Sequence, residues 1–179
     1  MSDSTAAGGE RIAFRPFAWD DLMALFLWLG RPHVAKWYAR PPSSYAETVA
    51  RYGSRTEAGQ PVRAHVVLVD GAPVGYAQHY AVDAFPDYAA RLEAGPGTAA
   101  MDLLIGEEAF LGRGIGSRAI HRYAEDVVFA DPAFAACVGG PMEGHAAGIR
   151  AFEKAGFARW KTIDPGDGPA ECVMRRERD

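Results

Sequence analysis

From Asp102 to Ser117 the chain reads Asp-Leu-Leu-Ile-Gly-Glu-Glu-Ala-Phe-Leu-Gly-Arg-Gly-Ile-Gly-Ser. This is an apolar run carrying one acid that leads into three alternating glycines, Gly112, Gly114 and Gly116. An amphipathic helical pattern follows as far as Phe129. Glycine lets the backbone turn through positive φ and approach a ligand closely, while the first N–H groups of a helix have no intrahelical acceptor. Such a turn is a seat for an anion, and the pyrophosphate of a cofactor suits it. A strand-to-helix turn with no ligand satisfies the same three glycines. Two commoner phosphate loops do not fit. A P-loop needs Lys and then Ser or Thr after its last glycine, where Ser117 and Arg118 stand. A dinucleotide fingerprint needs two residues between its second and third glycines, where only Ile115 stands.

The flanking sequence alternates strands and helices. Residues 11–17 alternate as a first strand, residues 19–30 have apolar residues at helical spacing before Gly30, and residues 43–57 read as a helix opened by a Ser cap. Two alternating runs, 61–69 and 73–80, flank Asp70-Gly71-Ala72, which predicts an antiparallel hairpin. Residues 83–98 carry Asp83, Asp87 and Glu93 around Phe85 and Tyr88, and read as a loop with at most one helical turn, long enough to cover a cleft. Further strands are expected at 99–105, 133–139, 157–163 and 170–175, and helices at 113–129 and 146–155, the latter closed by Gly156. With 179 residues, 49% of them hydrophobic, one α/β domain over 11–179 accounts for the chain, and residues 1–10 are small, polar and expected to be flexible.

Composition narrows the function classes. No run approaches the ~20 apolar residues of a membrane helix, and the first ten lack an apolar signal region, so a soluble cytoplasmic protein is expected. A net charge of −4 speaks against a nucleic-acid footprint and favours a cationic partner. Cys137 and Cys172 sit in apolar runs and read as core residues, and the scattered histidines form no metal-ligand cluster.

Two ordered landmarks carry a family resemblance. Leu111-Gly-Arg-Gly-Ile-Gly116 matches the Gln/Arg-x-x-Gly-x-Gly/Ala loop of the Gcn5-related N-acetyltransferase (GNAT) superfamily except at its first position. Gly148-Ile-Arg-Ala-Phe-Glu-Lys-Ala-Gly-Phe157 resembles the helix after strand five of that family. Within it the chain looks most like the aminoglycoside 6′-N-acetyltransferases, through Trp28 to Trp37, Val74 to Gln78, Met101 to Ile105, Phe152 to Phe157 and Asp167 to Ala170. The resemblance implies a mixed, mostly antiparallel sheet of six or seven strands with helices on both faces and a V-shaped splay between strands four and five. It also implies acetyl-CoA as cosubstrate and a small cationic amine as acceptor, in a monomer or homodimer.

By that resemblance Asp102 is the acid at the reaction centre, able to bind an ammonium and take its proton. A bulge in strand four would present the N–H of Leu104 or Ile105 to the thioester. Gly112, Arg113, Gly114, Ile115, Gly116 and Ser117 would clasp the pyrophosphate. Trp37, Gln78, Tyr80, Glu143 and Asp167 are the candidate acceptor walls. Three departures stand out: Gly140 in place of an Asp, His145 in place of an Asn beside the CoA arm, and Phe152 in place of a Tyr that would protonate the leaving thiolate, a task Tyr123 or water could take over. His79 should point away from its strand neighbours, and His33, His65 and His121 read as structural or exposed. Two alternatives stay open: the same cofactor with another acceptor, such as a siderophore hydroxylysine, and a CoA-binding domain without chemistry.

Overall fold

The computed structural model describes residues 9–38, 40–164 and 168–178. Seven strands, β1 (Ile12–Pro16), β2 (Arg63–Val69), β3 (Ala72–Ala81), β4 (Thr98–Ile105), β5 (Ala136–Gly139), β6 (Ala158–Ile163) and β7 (Glu171–Glu177), form one sheet in the order β1-β2-β3-β4-β5-β7-β6. Every neighbouring pair is antiparallel except β4 and β5. The hairpin β2–β3 closes as expected on Asp70 and Gly71, both at positive φ.

Among the described residues six α-helices cover the sheet: α1 (Leu22–Leu29), α2 (Pro32–Ala35), α3 (Tyr45–Tyr52), α4 (Pro86–Leu92), α5 (Ile115–Tyr123) and α6 (Ala146–Lys154). Local chemistry sets several of their ends. Ser44 caps α3 by accepting from Glu47 N–H, while the Glu47 carboxylate accepts from Ser43 N–H, an arrangement worth about 1 kcal/mol. Gly156, at φ 90°, ends α6. Beyond Tyr123 the α5 ladder widens into a π-turn over Ala124–Val128.

On one face of the sheet Val67, Val74, Ala77 and Met101 pack against α5 and α6. On the other, Val66, Tyr76 and Leu104 pack against Leu22, Leu25, Trp28 and Leu29 of α1. A third cluster, around Ala100, Val138, Ile163 and Val173, takes in Leu92 of α4. Segment 83–98 therefore differs from the expected loop. It holds the two-turn helix α4, and Lys161 Nζ of β6 pins it by donating to Leu92 O (2.8 Å) and pairing with Glu93 (3.1 Å).

The β4–β5 junction positions everything that follows. The two strands pair only where Thr98, Ala99 and Ala100 face Ala136, Cys137 and Val138. Short β5 ends at Gly139, before Gly140 and Pro141, whereas β4 runs on to Ile105, so the sheet opens into a V beside Met101–Ile105.

Cys137 and Cys172 are buried as expected. His79 faces the α5 side, opposite to Gln78, and is 2% exposed. Its Nδ1 and that of His65 each lie 2.9 Å from the hydroxyl of buried Tyr123. A phenol has one proton, so it donates to one imidazole and accepts from the other. Burial lowers the His79 pKa to about 4, and the charges of His65 and Arg63 add to this while Asp131 opposes it. The folded pKa lies below that of the unfolded chain, so stability is complete above about pH 6.5 and declines as the pH falls towards 4. Urea unfolding should show a loss of about 2 kcal/mol between about pH 7 and about pH 5, and a smaller loss in His79→Gln. Equal losses in the two proteins would remove His79 as the source.

Candidate active site

A cleft of about 480 Å³ opens at the V. Its floor is β4, with Met101 to Ile105 all lining it. One wall is the first turn of α5 with α6, and the other is formed by α2 and the end of α3. Asp102 and Gln78 are directly opposed across the β3–β4 ladder. Gln78 Nε2 donates to Asp102 Oδ2 at 2.6 Å, and Gln78 Oε1 accepts from the Tyr76 hydroxyl at 2.8 Å and from the Arg55 guanidinium. A guanidinium can only donate, so Arg55 fixes which end of the amide faces the carboxylate. Arg55 itself lies over the Tyr52 ring, 4.3 Å from its centroid.

The Asp102 side chain is exposed to the water of the cleft, yet protein surrounds it on the remaining sides. That crowding raises its pKa above the usual carboxylate value, while the Gln78 amide and Arg55 pull the other way. The result is a carboxylate more basic than an ordinary one. Among the described residues its Oδ1 has no protein partner.

No register shift interrupts the β3–β4 ladder. The expected bulge takes another form: a Cβ on Gly75 would lie 2.1 Å from Leu104 O, so this carbonyl is tipped out of the sheet plane into space only glycine leaves open. No peptide bond is cis, and a trans peptide points its N–H opposite to its C=O. The Ile105 N–H is therefore turned towards the face that carries Gln78 and Asp102. Both residues expected at the reaction centre line the cleft, and the Leu104 side chain is buried beneath α1.

At the glycine turn, Gly112 and Gly114 adopt φ 71° and 73°, while Gly116 is already helical, with open space where its Cβ would be. The first helical acceptor bond is Arg118 N–H to Gly114 O, which leaves the N–H groups of Ile115, Gly116 and Ser117 without intrahelical acceptors. Ser117 Oγ donates back to Gly114 O at 3.0 Å and steadies the turn. Arg113 was expected to add charge towards a phosphate. It is engaged elsewhere, bonding Ala109 O, pairing with Glu10 and lying over Phe110. Glu10 also pairs with Arg118 at 2.8 Å, so this end of the residues expected to be flexible is anchored. Beside the turn, Ser117, Arg118, His121, Arg122 and Lys154 line a second hollow of about 610 Å³, a cationic surrounding that suits further phosphate.

The other candidates are placed as follows. Trp37 lines the cleft and stacks on His145, centroids 4.1 Å apart and planes 13° apart, which joins the α2 wall to the start of α6. Burial lowers the His145 pKa, helped by Lys36. Phe152 also lines the cleft, and a Cβ on Gly139 would fall 2.3 Å from its ring. Tyr80 shares the face of Gln78 but packs on Phe85 and Tyr88 instead of lining the cleft. Glu143 is exposed and outside the cleft lining, and so are Asp83, Asp87 and Glu93 of the segment that was expected to cover it. Tyr123, considered as a proton donor, is held on the α5 side by the two histidines and does not reach the cleft. Asp167 lies outside the described residues. His33, read as structural, bonds Ile105 O at 3.0 Å and lines the cleft, while His121 is exposed.

The sequence reading missed Arg55, Tyr38, Tyr52 and Glu171, all cleft-lining. Tyr76 was within reach, being two residues from Gln78 on one strand face. The rest come from segments far apart in sequence, with no shared spacing to reveal them. Among the described residues no group of three or more His, Cys, Asp or Glu could hold a metal ion. No helix there is long and apolar enough to cross a membrane.

Comparison with known proteins agrees with this layout. An aminoglycoside N(6′)-acetyltransferase type 1 of Klebsiella pneumoniae is 31% identical over 170 residues, covering 93% of this chain and 83% of that protein. A kanamycin resistance protein of Rhizobium radiobacter is 33% identical over 83 residues, 46% of this chain and 76% of that protein. The crystal structure of aminoglycoside acetyltransferase AAC(6′)-Ib with coenzyme A aligns at TM-score 0.84 and 27% identity, over 94% of this chain and 95% of that one. The same enzyme with coenzyme A and kanamycin aligns at TM-score 0.83 and 29% identity, over 94% and 95%. Residues 18–165 match the acetyltransferase (GNAT) domain, so the chain belongs to the GNAT acetyltransferases.

Proposed function

We propose that this protein transfers the acetyl group of acetyl-CoA to an amine of an aminoglycoside, the 6′-amine by kinship with its relatives, and thereby confers resistance in the cytoplasm. The observation that carries the reading is the position of Asp102. It stands in one cleft with the free amides of the α5 turn on one side and aromatic, amine-compatible walls on the other. The residues present fit coenzyme A. Two positive-φ glycines, an open Cβ position at Gly116 and three unpaired N–H groups suit its pyrophosphate, and the unpaired edge of β4 suits its amide-bearing arm.

Acetyl-CoA supplies an activated acyl group with a thiolate leaving group, and the chain's own residues prepare the amine. An aminoglycoside amine arrives as ammonium, and the cleft's aromatic rings and carboxylates favour that charge. Asp102 accepts a hydrogen bond from it and then its proton, directly or through water, because burial has raised the basicity of the carboxylate. Gln78, held by Arg55 and Tyr76, keeps Oδ2 fixed and leaves Oδ1 for the amine. The Ile105 N–H is placed to donate to the acyl oxygen as negative charge develops there. Phe152 cannot donate a proton, and none is demanded: a thiol pKa near ~8.5 makes the thiolate a tolerable leaving group near neutral pH.

Two variants separate the halves of the site. Asp102→Asn should lower kcat/KM for an accepted aminoglycoside by about 100-fold or more, with coenzyme A affinity within about twofold of the parent. In the parent, the acid limb of the pH–rate profile should lie above the ordinary carboxylate range. An unimpaired Asp102→Asn rate would remove Asp102 from the chemistry, and a parent that acetylates no member of an aminoglycoside panel would remove the substrate. Gly114→Ala places a side chain at φ 73°, a strain of about 1–2 kcal/mol, and should weaken coenzyme A binding about tenfold in calorimetry while leaving aminoglycoside binding unchanged.

A further inference from the structure

The cleft contains a second carboxylate that strand spacing did not point to. Glu171 opens β7 and lines the same cleft as Asp102. Its backbone is tied to the loop after β5: Met142 bridges Glu171, and Cys172 N–H donates to Pro141 O at 2.9 Å. The side chain then crosses towards Gly140. A Cβ built on Gly140 would lie 2.6 Å from Glu171 Oε2 and 3.2 Å from its Cδ, so the carboxylate occupies the space a side chain at 140 would need. Gly140 and Glu171 are therefore one unit, in which the absence of a side chain on β5's trailing loop admits an acid from the neighbouring strand.

The charge of this acid is felt on the acceptor side. Burial first, and then the Asp102 and Glu171 carboxylates, push the hydroxyl pKa of both Tyr80 and Tyr88 upwards. Tyr80 and Gln78 share one face of β3, the strand paired with the stretch of β4 that carries Asp102, and Tyr80 packs on Phe85 and Tyr88. One carboxylate suffices to deprotonate one amine. Asp102 and Glu171 line one cleft with Arg55, whose guanidinium hydrogen-bonds the neutral Gln78 and Tyr76, so among the described lining residues carboxylates outnumber guanidinium groups, which fits an acceptor that brings more than one ammonium.

Resting on the aminoglycoside reading above, we propose that Glu171 is an acceptor-binding residue. Its carboxylate, seated where Gly140 leaves room, holds a second ammonium of the polycationic substrate and so turns the reactive amine towards Asp102. This is a binding role, with no bond made or broken at Glu171.

The test compares the parent, Glu171→Gln and the exchange variant Gly140→Asp/Glu171→Ala, using steady-state kinetics and calorimetry with kanamycin and with a small monoamine as acceptor. Glu171→Gln keeps the shape and removes the charge. It should raise KM and Kd for kanamycin about tenfold, change kcat by less than about threefold, and leave the KM for acetyl-CoA and for the monoamine unchanged. The exchange variant, which returns a carboxylate to the same space from the other strand, should recover a substantial part of the kanamycin affinity. Unchanged kanamycin affinity in Glu171→Gln, or an equal loss for kanamycin, monoamine and acetyl-CoA, would overturn the assignment. If the parent itself neither binds nor acetylates kanamycin or any other aminoglycoside, the substrate reading falls and this inference with it. Intact parent binding with an indifferent Glu171→Gln sinks the inference alone.

Discussion

The parting of β4 from β5 after Ala100 is the constraint on which the rest of the molecule depends. A parallel pair continued to the end of β4 would consume the main-chain groups from Met101 to Ile105 and leave no cleft. Stopping at three residue pairs exposes that edge, puts Asp102 beside empty space, and lets the first turn of α5 approach from one side and the loop after β5 from the other. The stop is written into short β5, which runs into Gly139, Gly140 and a proline that cannot donate to a ladder.

Around that opening the chain places polar groups in an order that leaves each one directed. Arg55 donates to Gln78, Gln78 donates to Asp102, and Asp102 keeps one oxygen for a substrate. A lone acid in such a cleft would be free to rotate or to pair with whichever cation came near. Opposed to Gln78 across the ladder, it has one orientation and a raised proton affinity. On the opposite face, Tyr123 ties His65 and His79 together under α5, a buried polar cluster that serves the fold and contributes nothing to the cleft.

The glycine turn, the Asp-Gly hairpin, the Ser cap of α3 and the Gly156 stop were all legible because each is a local device: the residue type alone sets the backbone conformation. Asp102 and Gln78 were singled out through the family resemblance, and the structure opposes them across the β3–β4 ladder. Segment 83–98 was misread because its Pro and Gly residues suggest a loop, whereas Leu92 finds a place in the cluster with Ile163 and Val173 and so supports a helix. The ion pair of Arg113 with Glu10 was not legible, because nothing local shows that a residue about a hundred positions earlier meets it.

By itself, then, the amino-acid order determined the strands, most of the helices and turns, and a glycine turn suited to an anion ahead of a helix, because these follow from dihedral preference and periodicity over a few residues. Only the tertiary structure decided what stands around the acid. Arg55, Tyr38 and Glu171 arrive from separate elements, the Leu104 carbonyl tips only because Gly75 faces it, and the Glu171 carboxylate fills a space that a side chain at 140 would have closed. Such contacts depend on which strands lie side by side and how closely, and neither quantity is carried by any short stretch of the chain.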